Sequence, residues 1–213
     1  VPPLAASLAV GQETKAGQEF LTAFCTGFEV ECKIAEAIDP RHYQQGFHTT
    51  GTIGIFGSTA AAAKLMGLSL QQTRFALSIA ASKSAGIRAN FGTMTKPLHA
   101  GMTCRDGVMA AQLAQRGLTS GDQVIEHPFG FANTVIGPGI YDLDEMAENL
   151  GKPYRIQDAL VIKKYPCCGG NHAMLDSLFS MMRENNFTYE DVASAEVDQS
   201  YYSVVMLYQE PED

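Results

Sequence analysis

Several features that quickly assign a protein to a class are missing from these 213 residues. There is no basic excess: 15 Lys and Arg stand against 23 Asp and Glu, for a formal charge of -8 at pH 7. A protein that grips a phosphate backbone needs a positive face, so no nucleic-acid partner is expected. No apolar stretch reaches the roughly eighteen residues of a spanning helix, so no membrane is expected either. Neither a P-loop, a GxGxxG turn nor a GxSxG elbow occurs, and the glycine-rich run from Gly51 to Gly57 lacks the Lys-Ser/Thr that would make it a phosphate cradle. The five cysteines, Cys25, Cys32, Cys104, Cys167 and Cys168, are odd in number and two are adjacent, which argues against a secreted disulfide framework and for a reducing, cytoplasmic setting. Their spacing lacks the convergence that zinc or iron–sulfur ligation needs. Core packing is the reading for all five, with a nucleophilic Cys167 or Cys168 near His172 as the lesser alternative. Repeats and low-complexity tracts are absent.

What is present suits a folded chain with a sizeable core: 46% of residues are hydrophobic and 18% charged. Phe20, Phe24 and Phe28, four apart, predict a helix ending before Asp39-Pro40. The small residues between Thr52 and Met66 predict a buried, closely packed helix stopped by Gly67. Ser69-Leu70-Gln71-Gln72 reads as a capping box opening a helix that runs to about Lys83 and is closed by Gly86. A further helix is expected from about Leu98 to Arg116, stopped by Gly117, and a single turn over Asp122–Ile125. Beyond Gly139 the pattern changes. A short helix over Asp142–Leu150, a strand over Ala159–Lys163, a helix over Asn171–Glu184, a helix start at Thr188 and a strand over Ala193–Tyr202 describe an α+β part following an all-helical one. The boundary falls between about residues 135 and 145, giving domains of 1–138 and 139–213. The termini, Val1-Pro2-Pro3 and Glu210-Pro211-Glu212-Asp213, read as cut, which leaves a mitochondrial leader open.

Three clusters can carry chemistry. In Gly46-Phe47-His48-Thr49-Thr50-Gly51-Thr52, His48 either faces a ligand from a loop above the buried helix or merely caps that helix. In Asn90 through Gly101, Pro97 suits a first helical turn and puts Lys96 where the helix dipole already favours anions. A carboxylate fits there; a surface lysine beside a cap is the plainer alternative. In Lys163-Lys164-Tyr165-Pro166-Cys167-Cys168-Gly169-Gly170-Asn171-His172, two lysines and a histidine make a positive island on an acidic protein, or simply a solvated basic turn.

Taken in order, Phe47-His48-Thr49-Thr50-Gly51-Thr52, Thr95-Lys96-Pro97-Leu98-His99-Ala100-Gly101 and Lys163-Lys164-Tyr165-Pro166-Cys167-Cys168 with His172 resemble the MmgE/PrpD family, as do Gly27-Phe28-Glu29-Val30 and Gly67-Leu68-Ser69. The resemblance implies an all-helical domain with a smaller α+β lid, a homodimer, and a site between the domains that works on small di- or tricarboxylates without metal or organic cofactor. It implies proton transfer by His48, carboxylate binding by Lys96 and Lys163, and substrate contacts from His99, Lys164 and His172. A lid tyrosine would be Tyr201, Tyr202 or Tyr208. The implied reaction is dehydration of a 2-methylcitrate-like hydroxy acid, with decarboxylation of the cis-aconitate type or epimerisation as the alternatives. Outside enzymes, a non-catalytic polycarboxylate-binding or dimerisation domain is the rival. Family members carry an Asp- and His-containing segment upstream of the part seen here, so this chain by itself is expected to be incomplete and inactive.

Overall fold

In the computed structural model, residues 1–12 and 17–198 are described. They divide into two compact units, Val1–Ala159 and Leu160–Asp213, each taken here by itself. The first is built of helices: α1 (Pro2–Gly11), α2 (Gly17–Ile38), α3 (Arg41–Gln44), α4 (Thr49–Thr52), α5 (Gly54–Leu65), α6 (Leu70–Ala81), α7 (Thr95–Gln115), α8 (Phe131–Ile136), α9 (Leu143–Ala147) and α10 (Ile156–Ala159).

α5 is the axis of this unit. Every residue from Gly54 to Ala63 is buried, and α1, α2, α6 and α7 all pack on it. Its composition explains how. A Cβ added to Gly27 of α2 would lie 2.4 Å from the Gly57 carbonyl oxygen, and one added to Gly57 would lie 2.7 Å from that of Gly27. A Cβ on Gly107 of α7 would meet Ser58 Cβ at 2.5 Å. Backbones therefore touch on both flanks of α5, which only residues without side chains permit. The larger side chains fill the ends: Ile34, Ile38, Ile53, Phe56, Phe131 and Ile136 form one continuous core. On α2 the buried face is Ala23, Gly27, Phe28, Ile34, Ala37 and Ile38, while Phe24 sits half-buried and Leu21 is exposed. The aromatic stripe thus marks the helix, with Phe28 on its contact face and Phe20 and Phe24 half-buried beside it.

Element ends follow local chemistry. Ser69 opens α6 with the capping box expected of it: Gln72 N donates to Ser69 Oγ at 3.2 Å and Ser69 N to Gln72 Oε1 at 3.0 Å. α5 and α7 end alike. Gly67 and Gly117 take positive φ (65° and 94°), and the next amides, of Leu68 and Leu118, reach back five residues to Ala63 and Leu113. α7 begins at Thr95, one turn earlier than its predicted start, with Pro97 still in the first turn, where its missing N–H costs no intrahelical bond. Residues 143–159, which the sequence pattern groups with the second part, pack against α2. There the buried Glu29 carboxylate accepts Gly151 N at 2.8 Å and Arg155 N at 2.6 Å.

In the second unit, α11 (His172–Asn185) follows a 3-10 turn at Gly169–Asn171 and ends on Asn186 in the left-handed conformation (φ 52°). Two expectations need correction. The strand over Ala159–Lys163 does not form, because Leu160, Val161 and Ile162 are β-prone but exposed and meet no second strand among the described residues. Likewise Asp122–Ile125 is turn rather than helix. Residues 193–198 carry no regular structure, and the rest of the strand expected to Tyr202 lies outside the described residues, as do Tyr201, Tyr202 and Tyr208. The chain is thus mainly helical. Among the described residues, extended pairing is limited to one isolated bridge, Phe47 with Ile87.

Candidate active site

That bridge builds the site. His48 N donates to Gly86 O at 3.0 Å and Arg88 N to Gly46 O at 2.8 Å, so the 84–88 loop lies against the entrance to α4. Ser84 Oγ pins the loop to Thr52 O at 2.7 Å, and Thr103 Oγ1 ties α7 to Gly51 O at 2.9 Å. At this junction the His48 ring is buried (7% exposed), and its Nδ1 stands 3.0 Å from Nδ1 of His99, one turn into α7. His48 occupies the N-cap position of α4, but its side chain makes no capping bond. Its imidazole is directed to His99 rather than to the α4 amides.

The surroundings hold the pair in place and set its charge. Phe91 meets the His48 ring edge-on (centroids 4.8 Å apart), and the Lys96 ammonium sits 4.4 Å from the Phe91 ring centroid. Burial, then the neighbouring His99, then Lys96 pull the His48 pKa down to about 4. At neutral pH His48 is consequently unprotonated. One nitrogen of the facing pair then donates and the other accepts, with the tautomer left to the surroundings. Gly86 is favoured here by its φ of 136°, which side chains rarely adopt; a Cβ on it would make only ordinary contact, 3.5 Å from His48 Cβ and from His99 Nδ1. Beside His99 opens a cavity of about 260 Å³ whose polar lining is Lys83, Thr95, His99, Thr103 and Asp106. Pockets for drug-sized ligands run from about 300 Å³ upward, so this space suits a small metabolite.

The structure thus brings together His48, His99 and Lys96, 51 and 48 residues apart along the chain. Lys163, Lys164 and His172 belong to the second unit. There Lys163 Nζ donates to Cys167 O at 2.7 Å, while Lys164 and the Tyr165 hydroxyl both bond Asp176 Oδ1. His172 begins α11, packed edge-on against Tyr165, with its Nε2 buried and unpartnered among the described residues. Lys164 first, then Tyr165, hold the Asp176 carboxyl below the usual range. Sequence reasoning missed Lys83, Thr103 and Asp106. None stands in a motif; they are found only because the loop after α6 and the face of α7 converge. Among the described residues no three His, Cys, Asp or Glu side chains are grouped as metal ligands, and no helix is long and apolar enough to cross a membrane. Cys32 is pushed up to about 12, mainly by burial and then by Glu31, and burial raises Cys104, as suits packing thiols.

The model of the MmgE/PrpD N-terminal domain matches residues 2–143. Among curated proteins, human cis-aconitate decarboxylase is 40% identical over 116 residues, covering 54% of this chain and 24% of its own length. The mouse cis-aconitate decarboxylase is 32% identical over 162 residues (76% and 33%). A cis-aconitate decarboxylase from Aspergillus terreus is 27% identical over 183 residues (83% and 37%). The chain therefore spans between about a quarter and somewhat over a third of the length of these curated relatives.

Proposed function

This chain belongs to the MmgE/PrpD family, and from that premise we propose that it supplies the helical wall of a lyase site for small polycarboxylates, with decarboxylation of a cis-aconitate-like acid as the reaction. The observation that carries the reading is the His48–His99 pair, 3.0 Å apart, beside a small cavity and under the field of Lys96. The names of the curated relatives turn the choice of reaction from dehydration toward decarboxylation.

The chemistry needs few parts. In decarboxylation the bond from carbon to a carboxylate breaks, carbon dioxide leaves, and the electron pair stays behind, spread toward the remaining carboxylates. A proton then joins the carbon. Fixed cations that hold those carboxylates stabilise the charge as it spreads, and this term is commonly the largest in such sites. Lys96 takes this role from the helical unit. Lys163, assisted by Lys164 and His172, takes it from the second part, the proposed lid, where a substrate carboxylate would replace the Cys167 carbonyl on the Lys163 ammonium. The imidazole pair handles the proton. With the site empty His48 is unprotonated, because burial, then His99 and Lys96, oppose a charge on it. A bound polyanion offsets that opposition, so a proton enters with the substrate and is on hand for delivery to carbon. The remaining acid–base groups, the second copy of a homodimer and the lid itself belong to the same proposal.

One observation keeps dehydration as the second reading. An unprotonated His48 at neutral pH is ready to remove a proton beside a carboxylate, which dehydration requires and decarboxylation does not. Product analysis by NMR on the full-length protein, with tricarboxylates and aspartate-like acids, separates the readings. Loss of one carboxyl supports decarboxylation, and loss of water supports dehydration. His48→Gln is expected to lower kcat by about a hundredfold or more, the usual weight of a positioned proton-transfer group. Tight binding of the acids without any conversion would replace the lyase by a binding module.

A further inference from the structure

The cavity beside His99 contains a cation that the reading above has not used. Lys83 follows the last turn of α6, on the loop that Ser84 fastens to Thr52 and that Gly86 fastens to His48. Its side chain is a third exposed and lines the same cavity as His99, Thr95 and Thr103. The bland account is that Lys83 neutralises Asp106, a buried carboxylate on α7. The distances argue otherwise. Asp106 Oδ1 already accepts Arg105 Nε and Nη2, each at 2.8 Å, whereas the Lys83 ammonium stands 3.9 Å away, beyond hydrogen-bond length. Among the described residues that ammonium has no hydrogen-bond partner. A half-buried ammonium with three donors and an adjoining void is poised for an anionic oxygen from a ligand.

We propose that Lys83 determines substrate specificity by binding a further carboxylate of the substrate within the cavity it shares with His99, so that the site selects acids with three carboxylates over those with two. The inference rests on the polycarboxylate reading above and adds a subsite to it. In that reading Lys96 holds a carboxylate that takes up developing charge; Lys83 holds the central one of the three. Asp106 acts as a weak holding partner that the substrate displaces, keeping the ammonium directed into the cavity when no anion is bound. A contact of this kind, equally strong before and during the chemical step, acts on binding rather than on turnover.

The test uses full-length protein, with Lys83→Met and Lys83→Arg variants. Readouts are KM and kcat for cis-aconitate, inhibition constants for propane-1,2,3-tricarboxylate and for glutarate, which lacks its central carboxylate, and thermal unfolding. Loss of a charged hydrogen bond is expected to raise KM and the tricarboxylate inhibition constant roughly ten- to a hundredfold in Lys83→Met. On this reasoning kcat changes less than about threefold, glutarate inhibition stays within about twofold, and Lys83→Arg recovers most of the loss. A Lys83→Met variant whose KM matches wild type overturns the proposal. So does one that weakens glutarate and the tricarboxylate equally, since Lys83 would then act as a general field. So does one that only lowers the unfolding temperature, since Lys83 would then serve Asp106 alone. Wild type that neither converts nor binds any polycarboxylate removes the functional reading and the subsite with it, whereas active wild type with an indifferent Lys83→Met removes the subsite only.

Discussion

Two buried ionisable groups in the helical unit oppose one another, and the opposition is measurable. His48 has its pKa lowered from an ordinary 6.5 to about 4, first by burial, then by His99 and Lys96. Glu31, on α2, has its pKa raised from 4.5 to about 7 by burial, with the amino terminus pulling weakly the other way. Between pH 4 and 6.5 the unfolded chain holds a proton at His48 that the folded chain lacks, so this residue makes stability rise with pH. Between pH 4.5 and 7 the folded chain holds a proton at Glu31 that the unfolded chain lacks, so this one makes stability fall with pH. At 1.36 kcal/mol per pH unit each effect is worth up to about 3 kcal/mol. They largely cancel where the windows overlap. His48→Gln should therefore unmask Glu31: the variant's own stability should drop by up to about 3 kcal/mol from pH 4.5 to 7, and its difference from wild type should open over pH 4 to 6.5. Glu31→Gln should unmask His48, with stability climbing by a similar amount from pH 4 to 6.5. Urea unfolding followed by circular dichroism at half-unit pH steps reads both. Exposed carboxylates such as Asp176 and Asp191, whose pKa values are lowered, act below these windows and are common to all three proteins, so they drop out of the differences. A His48→Gln curve parallel to wild type across pH 4–7 would refute the assigned charge state.

The same charge state predicts proton uptake on ligand binding. Calorimetric titration of a tricarboxylate near pH 5.5, in buffers of different ionisation enthalpy, should register uptake of a fraction of a proton that His48→Gln abolishes; equal uptake in the variant would assign the proton elsewhere. Gly27→Ala tests the backbone contact between α2 and α5. Alanine in an open helix gains about 1 kcal/mol over glycine, but here its methyl would sit 2.4 Å from the Gly57 oxygen. The net effect should be a loss of about 1–3 kcal/mol, seen as a lower unfolding temperature, and an unchanged or higher one would show that the helices part without cost.

Sequence and structure agree where structure is decided locally. The capping box at Ser69, the glycine stops at Gly67 and Gly117 and the buried small-residue helix all answer to chemistry within a few residues, and all appear close to their predicted places. The Leu160–Ile162 segment fails for the complementary reason. Branched side chains make a strand possible, but a strand exists only through a partner, and no partner is written in the segment itself. The site divides the same way. His48, Lys96 and His99 stand in motifs, so they could be nominated in advance. That His48 and His99 meet through Nδ1 depends on the 84–88 loop folding over the α4 entrance, a tertiary event with no local signal. Lys83 and Asp106 are recruited by that event too, and neither belongs to any pattern.

The side-chain-free seam running along α5 has a bearing on how this protein can change. His48 enters from the chain just ahead of that helix, and His99 rides on a helix laid directly against its other flank. The separation of the two rings is thus gauged by Gly107 lying on Ser58 Cβ and the backbone of Ile55 and Thr59, a contact that no rotamer can adjust. On the proposed reading, variation in the cavity lining is free to retune which acid is accepted, while a single methyl added at Gly107, which would meet Ser58 Cβ at 2.5 Å, would part the helices that set the two imidazoles. Inherited diversity should accordingly collect around the hollow and spare the seam.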